Sequence, residues 1–289
     1  MRGPGPGREH HPHGASPPRQ SAGRPGPSAA GAPSCADHGT APWSLAGARH
    51  RRTSSGPGHR GGVSEPRTAL ITGANRGLGH ATAAELHRRG LRVVVTARDA
   101  GEAAEAAARI GPDVLSHPLD VTDQAGVERA AKELGPVDVL VCNAGVLLDT
   151  GDDPLSVPLE RVARTLEVNL LGGWRVAQAF VPGMVARGWG RVVFVSSGTG
   201  SFSVGLWTGA PAYSVSKTAV NGLTTMLATC TKGTGVLVNA VNPGQTRTRM
   251  VPTAERTPEE AATDIADAAT LPDDGPTGVF LRGDRQIGW

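Results

Sequence analysis

From Arg67 onward, short apolar runs alternate with longer stretches whose apolar residues recur every three to four positions. The runs are Thr68-Ala69-Leu70-Ile71-Thr72, Val93-Val94-Val95, Val114 to Pro118, Asp138 to Cys142, Val192 to Val195, Val236 to Val241 and Val279-Phe280-Leu281. Each reads as a strand. Between them, Leu78 to Arg89, Glu102 to Ile110, Asp123 to Leu134, Pro158 to Arg187 and Ala212 to Thr229 read as helices. Gly90, Gly111 and Gly135 stand where three of these would stop. Thr257-Pro258-Glu259-Glu260 opens a last helix with a capping box and an early proline. Strands so uniformly apolar are buried on both faces, which requires a parallel sheet covered by helices. The pattern therefore predicts an α/β fold over residues 67–289: one domain, a doubly wound parallel sheet with helices on both faces.

Residues 1–66 are a different material. They hold 13 of the 40 glycines and 11 of the 23 prolines, but few apolar residues. Such a segment cannot offset an ordering entropy of roughly 1–2 kcal/mol per residue, and it is expected to be a disordered leader. Its eight arginines face three acids, a net +5, whereas residues 67–289 carry 21 basic and 23 acidic groups, a net −2. The basic balance of the chain thus belongs to the leader. The body gives no reason to expect nucleic acid. The leader has several readings: a low-complexity tail, a weak attractor of phosphates, a transit peptide, or residues upstream of a start near Val63. His10-His11-Pro12-His13 reads as part of a low-complexity tail, and no metal site is expected. No run approaches the ~20 apolar residues of a membrane helix. Cys35, Cys142 and Cys230 are too few and scattered for a disulfide framework, which points to the cytoplasm.

Three constellations carry chemistry. Thr72-Gly73-Ala74-Asn75-Arg76-Gly77-Leu78-Gly79 lies between the first strand and the first helix, where glycines let a pyrophosphate approach backbone N–H groups. Arg76, inside that turn, and Arg98, at the end of the second strand, would together favour a 2′-phosphate and hence NADP(H). Asp99, next in line, is the acid that could instead hold a ribose hydroxyl. Finally, the only tyrosine of the chain, Tyr213, lies four residues before one of its three lysines, Lys217. On a helix they share a face, and an ammonium there is expected to lower a phenol pKa that starts at ~10. Ser196-Ser197 ends the fifth strand and Asn143-Ala144-Gly145 ends the fourth, at the edge where such sheets bind ligands. Periodicity does not settle which serine faces the site.

These residues together resemble the short-chain dehydrogenase/reductase family, across about 67–289. Its glycine pattern is met by Thr72, Gly73, Gly77 and Gly79, and its Asn-Ala-Gly by Asn143, Ala144 and Gly145. Asn169, Ser197, Tyr213 and Lys217 match its catalytic set, Asp120, beside Val121, its adenine contact, and Pro243-Gly244 and Thr248 its nicotinamide contacts. Within the family the chain looks most like the carbonyl reductases. The resemblance implies a Rossmann-type fold and NADPH as hydride donor to a ketone, aldehyde or quinone. Tyr213 would protonate the alkoxide, Lys217 lower its pKa and bind the ribose, Ser197 orient the carbonyl and Asn169 hold a water. Asn75, Arg76, Leu78 and Arg98 would complete the cofactor site. A small carbonyl or alcohol substrate and a homodimer or homotetramer follow from the same likeness. The rivals are a dedicated alcohol dehydrogenase or biosynthetic ketoreductase, and a non-catalytic NADP sensor.

Two departures stand out. Cys142 replaces an amide of the family pattern, so one contact is lost or re-routed. The gap from Ser197 to Tyr213 is longer than usual, and Ser201 to Pro211 is expected to form a loop over an apolar substrate pocket built from Val146, Leu147, Leu148, Phe202, Trp207 and Met250.

Overall fold

The computed structural model describes Gly3 and residues 66–289; the leader expected over 1–66 lies outside the described residues apart from Gly3 and Pro66. The chain runs β1 (Thr68–Ile71), α1 (Gly77–Arg88), β2 (Arg92–Ala97), α2 (Ala100–Ile110), β3 (Leu115–Pro118), α3 (Gln124–Leu134) and β4 (Val139–Cys142). It continues with α4 (Leu159–Leu166), α5 (Gly173–Arg187), β5 (Gly190–Val195), α6 (Pro211–Cys230), β6 (Val236–Val241), α7 (Pro258–Ala269), β7 (Phe280–Arg282) and β8 (Arg285–Ile287). The strand order is β3-β2-β1-β4-β5-β6-β7-β8. All neighbours pair in parallel except β7 and β8. This is the doubly wound, Rossmann-type sheet that the apolar runs predict.

Alternation along each strand divides the core in two. Leu70, Val94, Leu140, Val192 and Val238 pack on one face with Val127 of α3, Met184 of α5 and Leu223 of α6. Ile71, Val95, Val141, Val193 and Val241 pack on the other with Leu86 of α1, Ala107 of α2 and Ile265 of α7. The predicted capping box of α7 forms: Thr257 Oγ1 accepts from Glu260 N, and Glu260 accepts from Thr257 N.

Two features depart from the sequence reading. β8 is antiparallel, so the sheet is not wholly parallel. Gly283 (φ +59°) and Asp284 make the two-residue turn into it, a conformation a glycine adopts readily. The helical stretch from Pro158 to Arg187 is likewise interrupted by a π-helical segment at Glu167–Gly172, between α4 and α5.

Core burial makes a paired prediction. Leu86 is fully buried while Leu155 is 96% exposed. Leu86→Ala is expected to cost about 2–5 kcal/mol of unfolding free energy in a denaturant titration, and Leu155→Ala less than about 0.5 kcal/mol. Equal effects would contradict the packing described.

Candidate active site

β1 is flanked by β2 on one side and β4 on the other, so the chain leaves the sheet centre in opposite directions and a crevice opens at the carboxyl ends of the strands. A cavity of about 1110 Å³ lies there, bordered by the glycine turn after β1. Gly73 sits at φ +64°, and a side chain on it would begin 3.0 Å from Ala144 Cα. At Gly79 a Cβ would lie 2.4 Å from Asn143 Nδ2. The turn is therefore closed to side chains at Gly73 and Gly79, and the N-terminus of α1 borders the cavity. A pyrophosphate fits such a cradle.

Asn75, Arg76, Gly77 and Leu78 border the same cavity, as do Arg98, Asp120 and Val121 from the neighbouring strand ends. Burial alone would push the Asp120 carboxyl up. Hydrogen bonds from the Thr122 amide and hydroxyl, with the charges of Arg98 and Arg164, outweigh it and hold the group below its ordinary range. Asp99 is elsewhere engaged: its Oδ1 accepts from Glu102 N as the N-cap of α2. The two arginines border the cavity, whereas Asp99 is not among the residues that line it.

At the other end, the two serines after β5 diverge. Ser196 is buried and donates to Asn221 Oδ1 at 2.6 Å. Ser197 borders the cavity, and its Oγ accepts from the Thr199 hydroxyl at 3.0 Å. Tyr213 and Lys217 occupy the first two turns of α6. Lys217 is 5% exposed and donates from Nζ to Val195 O at 2.8 Å, with Nζ 5.5 Å from the Tyr213 ring centroid. Burial brings Lys217 down to about 8. Burial also pushes the Tyr213 phenol up to about 12, with only a hydrogen bond to Ser197 acting the other way. This corrects the expectation that the lysine lowers the tyrosine: desolvation dominates, and the one opposing cause is Ser197 rather than Lys217.

Asn169 lies in the π-helical segment and is 4% exposed, just behind the cavity wall. Its Oδ1 accepts from Val146 N, and its Nδ2 donates to Val146 O and Ser216 Oγ. The side chain is thus committed to protein groups. Asn143, Ala144 and Gly145 floor the cavity. A Cβ on Gly145 would lie 3.3 Å from Asn169 Oδ1 and 3.7 Å from Lys217 Nζ. Pro243, Gly244 and Thr248 also border the cavity, with Thr248 beside Gly77. Cys142 re-routes its contact: Sγ lies 3.8 Å from Gly173 O, and burial pushes the thiol up to about 12.

Ser201 to Pro211 does form a loop beside the cavity, which Val204, Gly205 and Trp207 border. Val146, Leu147 and Met250 join them as expected. Leu148 and Phe202 do not: they turn outward, 43% and 71% exposed, and Thr150 and Val251 line the cavity instead. The loop is tied from outside. Ser201 Oγ donates to Gly288 O, Ser203 N donates to Trp289 O, and the Trp289 ring stacks on Phe280 at 5.4 Å. Sequence reasoning also missed Arg282, which borders the cavity from the end of β7 near Gly244. No local motif signals either feature.

Because Tyr213 is the only tyrosine, its ionisation can be read directly from the tyrosinate absorbance band. In the cofactor-free protein the transition is expected near pH 12 rather than at the ordinary 10. A phenol whose folded pKa is raised stabilises the fold below its unfolded pKa, and that contribution is lost as pH rises from 10 towards 12. A midpoint at 10 with the fold intact would contradict the desolvation described.

Comparison with known proteins agrees with this geometry. A family model described as "short chain dehydrogenase" matches residues 67–259. The 1-deoxy-11-beta-hydroxypentalenate dehydrogenase of Streptomyces exfoliatus is 38% identical over 195 residues, 65% of this chain and 70% of that protein. The oxidoreductase UcpA of Escherichia coli is 34% identical over 221 residues, 71% of this chain and 81% of its own length. Among solved structures, a gluconate 5-dehydrogenase from Burkholderia cenocepacia, in complex with NADP and tartrate, superposes with a TM-score of 0.69 at 26% identity. That match covers 75% of this chain and 92% of the other. The chain belongs to the short-chain dehydrogenase family.

Proposed function

We propose that this chain is an NADPH-dependent carbonyl reductase, converting a hydrophobic ketone, aldehyde or quinone to an alcohol. Membership of an oxidoreductase family whose cofactor is NAD or NADP supplies the frame. The observation that carries the finer reading is the convergence in one cavity of Ser197, Tyr213 and Lys217 with a glycine cradle flanked by Arg76 and Arg98.

The residues divide the work. Gly73, Gly77 and Gly79 leave room for the pyrophosphate, Asp120 and Val121 border the adenine end, and Arg76 and Arg98 favour a 2′-phosphate. Asn143, Ala144, Gly145, Pro243, Gly244 and Thr248 border the nicotinamide end. The bound cofactor supplies a hydride to the carbonyl carbon. Ser197 donates to the carbonyl oxygen and orients it. Tyr213 gives its phenolic proton to the same oxygen, completing the alcohol; burial keeps that proton on the phenol near neutral pH until the transfer. Lys217, anchored on Val195 O, stands beside the phenol to restore its proton, and Asn169 holds a water of that relay. The walls at the substrate end (Val146, Leu147, Val204, Trp207, Met250 and Val251) suit an apolar substrate. Residence in the cytoplasm and assembly as a homodimer or homotetramer belong to the same reading; Leu159 of α4 and Met226 of α6 leave apolar surface exposed. Among the described residues no helix is long and apolar enough to cross a membrane.

A second reading rests on Arg282. A guanidinium bordering the cavity near Gly244 suits a dehydrogenase for a hydroxy compound that carries an acidic group.

A panel of neutral and acidic carbonyls and alcohols, followed by nicotinamide absorbance with both cofactors, decides between them. Turnover of neutral apolar carbonyls with NADPH is expected. Tyr213→Phe is expected to lower kcat by roughly 10²–10⁴ while NADPH still binds; a parent-like rate would remove the tyrosine from the mechanism. Arg98→Ala is expected to weaken NADPH on the order of tenfold or more and leave NADH unchanged. Tighter binding of NADH than NADPH by the parent would overturn the arginine argument.

A further inference from the structure

One buried acid takes no part in the scheme above. Asp149 is fully buried, on the segment whose Leu147 and Thr150 border the substrate end of the cavity. Its Oδ1 has no hydrogen-bond partner among the described residues. A buried polar atom left unpaired is destabilising and calls for a compensating role. Its other oxygen shows where that role lies. Oδ2 accepts from the backbone N–H of Ala212 at 2.6 Å and from that of Tyr213 itself at 3.3 Å.

These donors belong to the first turn of α6, which has no cap of its own. Ala210 offers no side-chain acceptor and Pro211 has no N–H to give. The acceptor that a serine or aspartate at position 210 would supply comes instead from 63 residues away along the chain. A second tie lies alongside, where Gly151 N donates to Gly209 O at 2.8 Å. The Tyr213 backbone is then held on both sides. Asp149 takes its N–H, and Ser216 Oγ donates to its carbonyl while accepting from Asn169 Nδ2. One turn later Lys217 is pinned to the sheet through Val195 O. Helix ends open before helix middles, so the turn that carries the phenol is the part of α6 most in need of an outside restraint.

We propose that Asp149 is the positioning residue of Tyr213: its carboxyl locks the first turn of α6 to the wall of the substrate cleft and so fixes where the phenol stands. This rests on the reading of Tyr213 as proton donor. The test therefore has two independent readouts.

Asp149→Asn keeps an acceptor oxygen at the same place, and Asp149→Ala removes it. The first readout is steady-state kinetics on the full chain, normalised to sites that bind NADPH. Asp149→Ala is expected to lose on the order of ten- to hundredfold in kcat with KM for NADPH unchanged. Asp149→Asn should stay within about threefold of the parent. The second readout is the resonance of ring-labelled tyrosine, a single signal because the chain has one tyrosine. It should be sharp in the parent and in Asp149→Asn, and broadened or doubled in Asp149→Ala. Should the alanine variant not fold, Asp149→Glu, which displaces the carboxyl by one methylene, carries the same expectations as Ala. A parent-like kcat and tyrosine signal in Ala or Glu, with only a lower melting temperature, would overturn the proposal. So would an Asn variant as impaired as Ala. If the chain reduces no carbonyl at all, the functional reading falls, and the tyrosine resonance alone decides the role of Asp149.

Discussion

The site depends on one crossing of hydrogen bonds at the split in the sheet. Beyond the last residues of β1 and β4 the ladder ends, and two side chains take over. Thr72 Oγ1 accepts the amides of Asn143 and Ala144, both at 3.0 Å. Asn143 Nδ2 donates back to the carbonyls of Thr72 and Gly73. These bonds set the distance between the phosphate turn and the floor of the cavity. They also explain one of its glycines: the Asn143 amide occupies the space that a side chain at Gly79 would need. At about 0.5–1.5 kcal/mol each, four such bonds are a sizeable part of a typical net stability of ~5–15 kcal/mol.

The reactive end obeys a different constraint, the cost of taking ionisable groups out of water. Lys217 and Tyr213 are both driven towards their neutral forms by burial. Proximity of a lysine and a tyrosine on one helix face therefore does not produce a phenolate. The pair is a protonated phenol beside an ammonium whose pKa is brought down to about 8. Ser197 and the Val195 carbonyl fix its geometry from β5, and the Asn169 side chain braces the wall behind it. Neither charge nor hydrogen bonding alone accounts for the arrangement; the sheet edge supplies both.

Much of this was legible in the sequence because each signal was local. Fully apolar runs marked buried parallel strands, and glycines marked the turn where a backbone must approach a ligand. A tyrosine four residues before a lysine needed no tertiary knowledge. The failures share a cause as well. β8 is three residues long and mostly exposed, so it leaves no apolar run to find. Leu148 and Phe202 are apolar, but identity does not fix direction, and a loop can turn either outward. Ser196 and Ser197 could be told apart only once Asn221 was seen to claim the first of them. The lowered tyrosine pKa failed because burial depends on the whole fold, whereas the i, i+4 pairing that suggested it does not. Asp149 has no sequence neighbour that hints at its partner, since the helix it restrains begins more than sixty residues later.

The loop from Ser201 to Pro211 shapes the substrate end, and its internal turn at Ser201 to Gly205 is not its only support. It hangs on the β7–β8 hairpin through Gly288 and Trp289, and Trp289 leans on Phe280, a fully buried residue of the sheet. Exchanging this loop with that of a relative would move its side chains and leave its supports behind. The unit that can be transplanted between members of the family is discontinuous: the loop together with the hairpin that carries it.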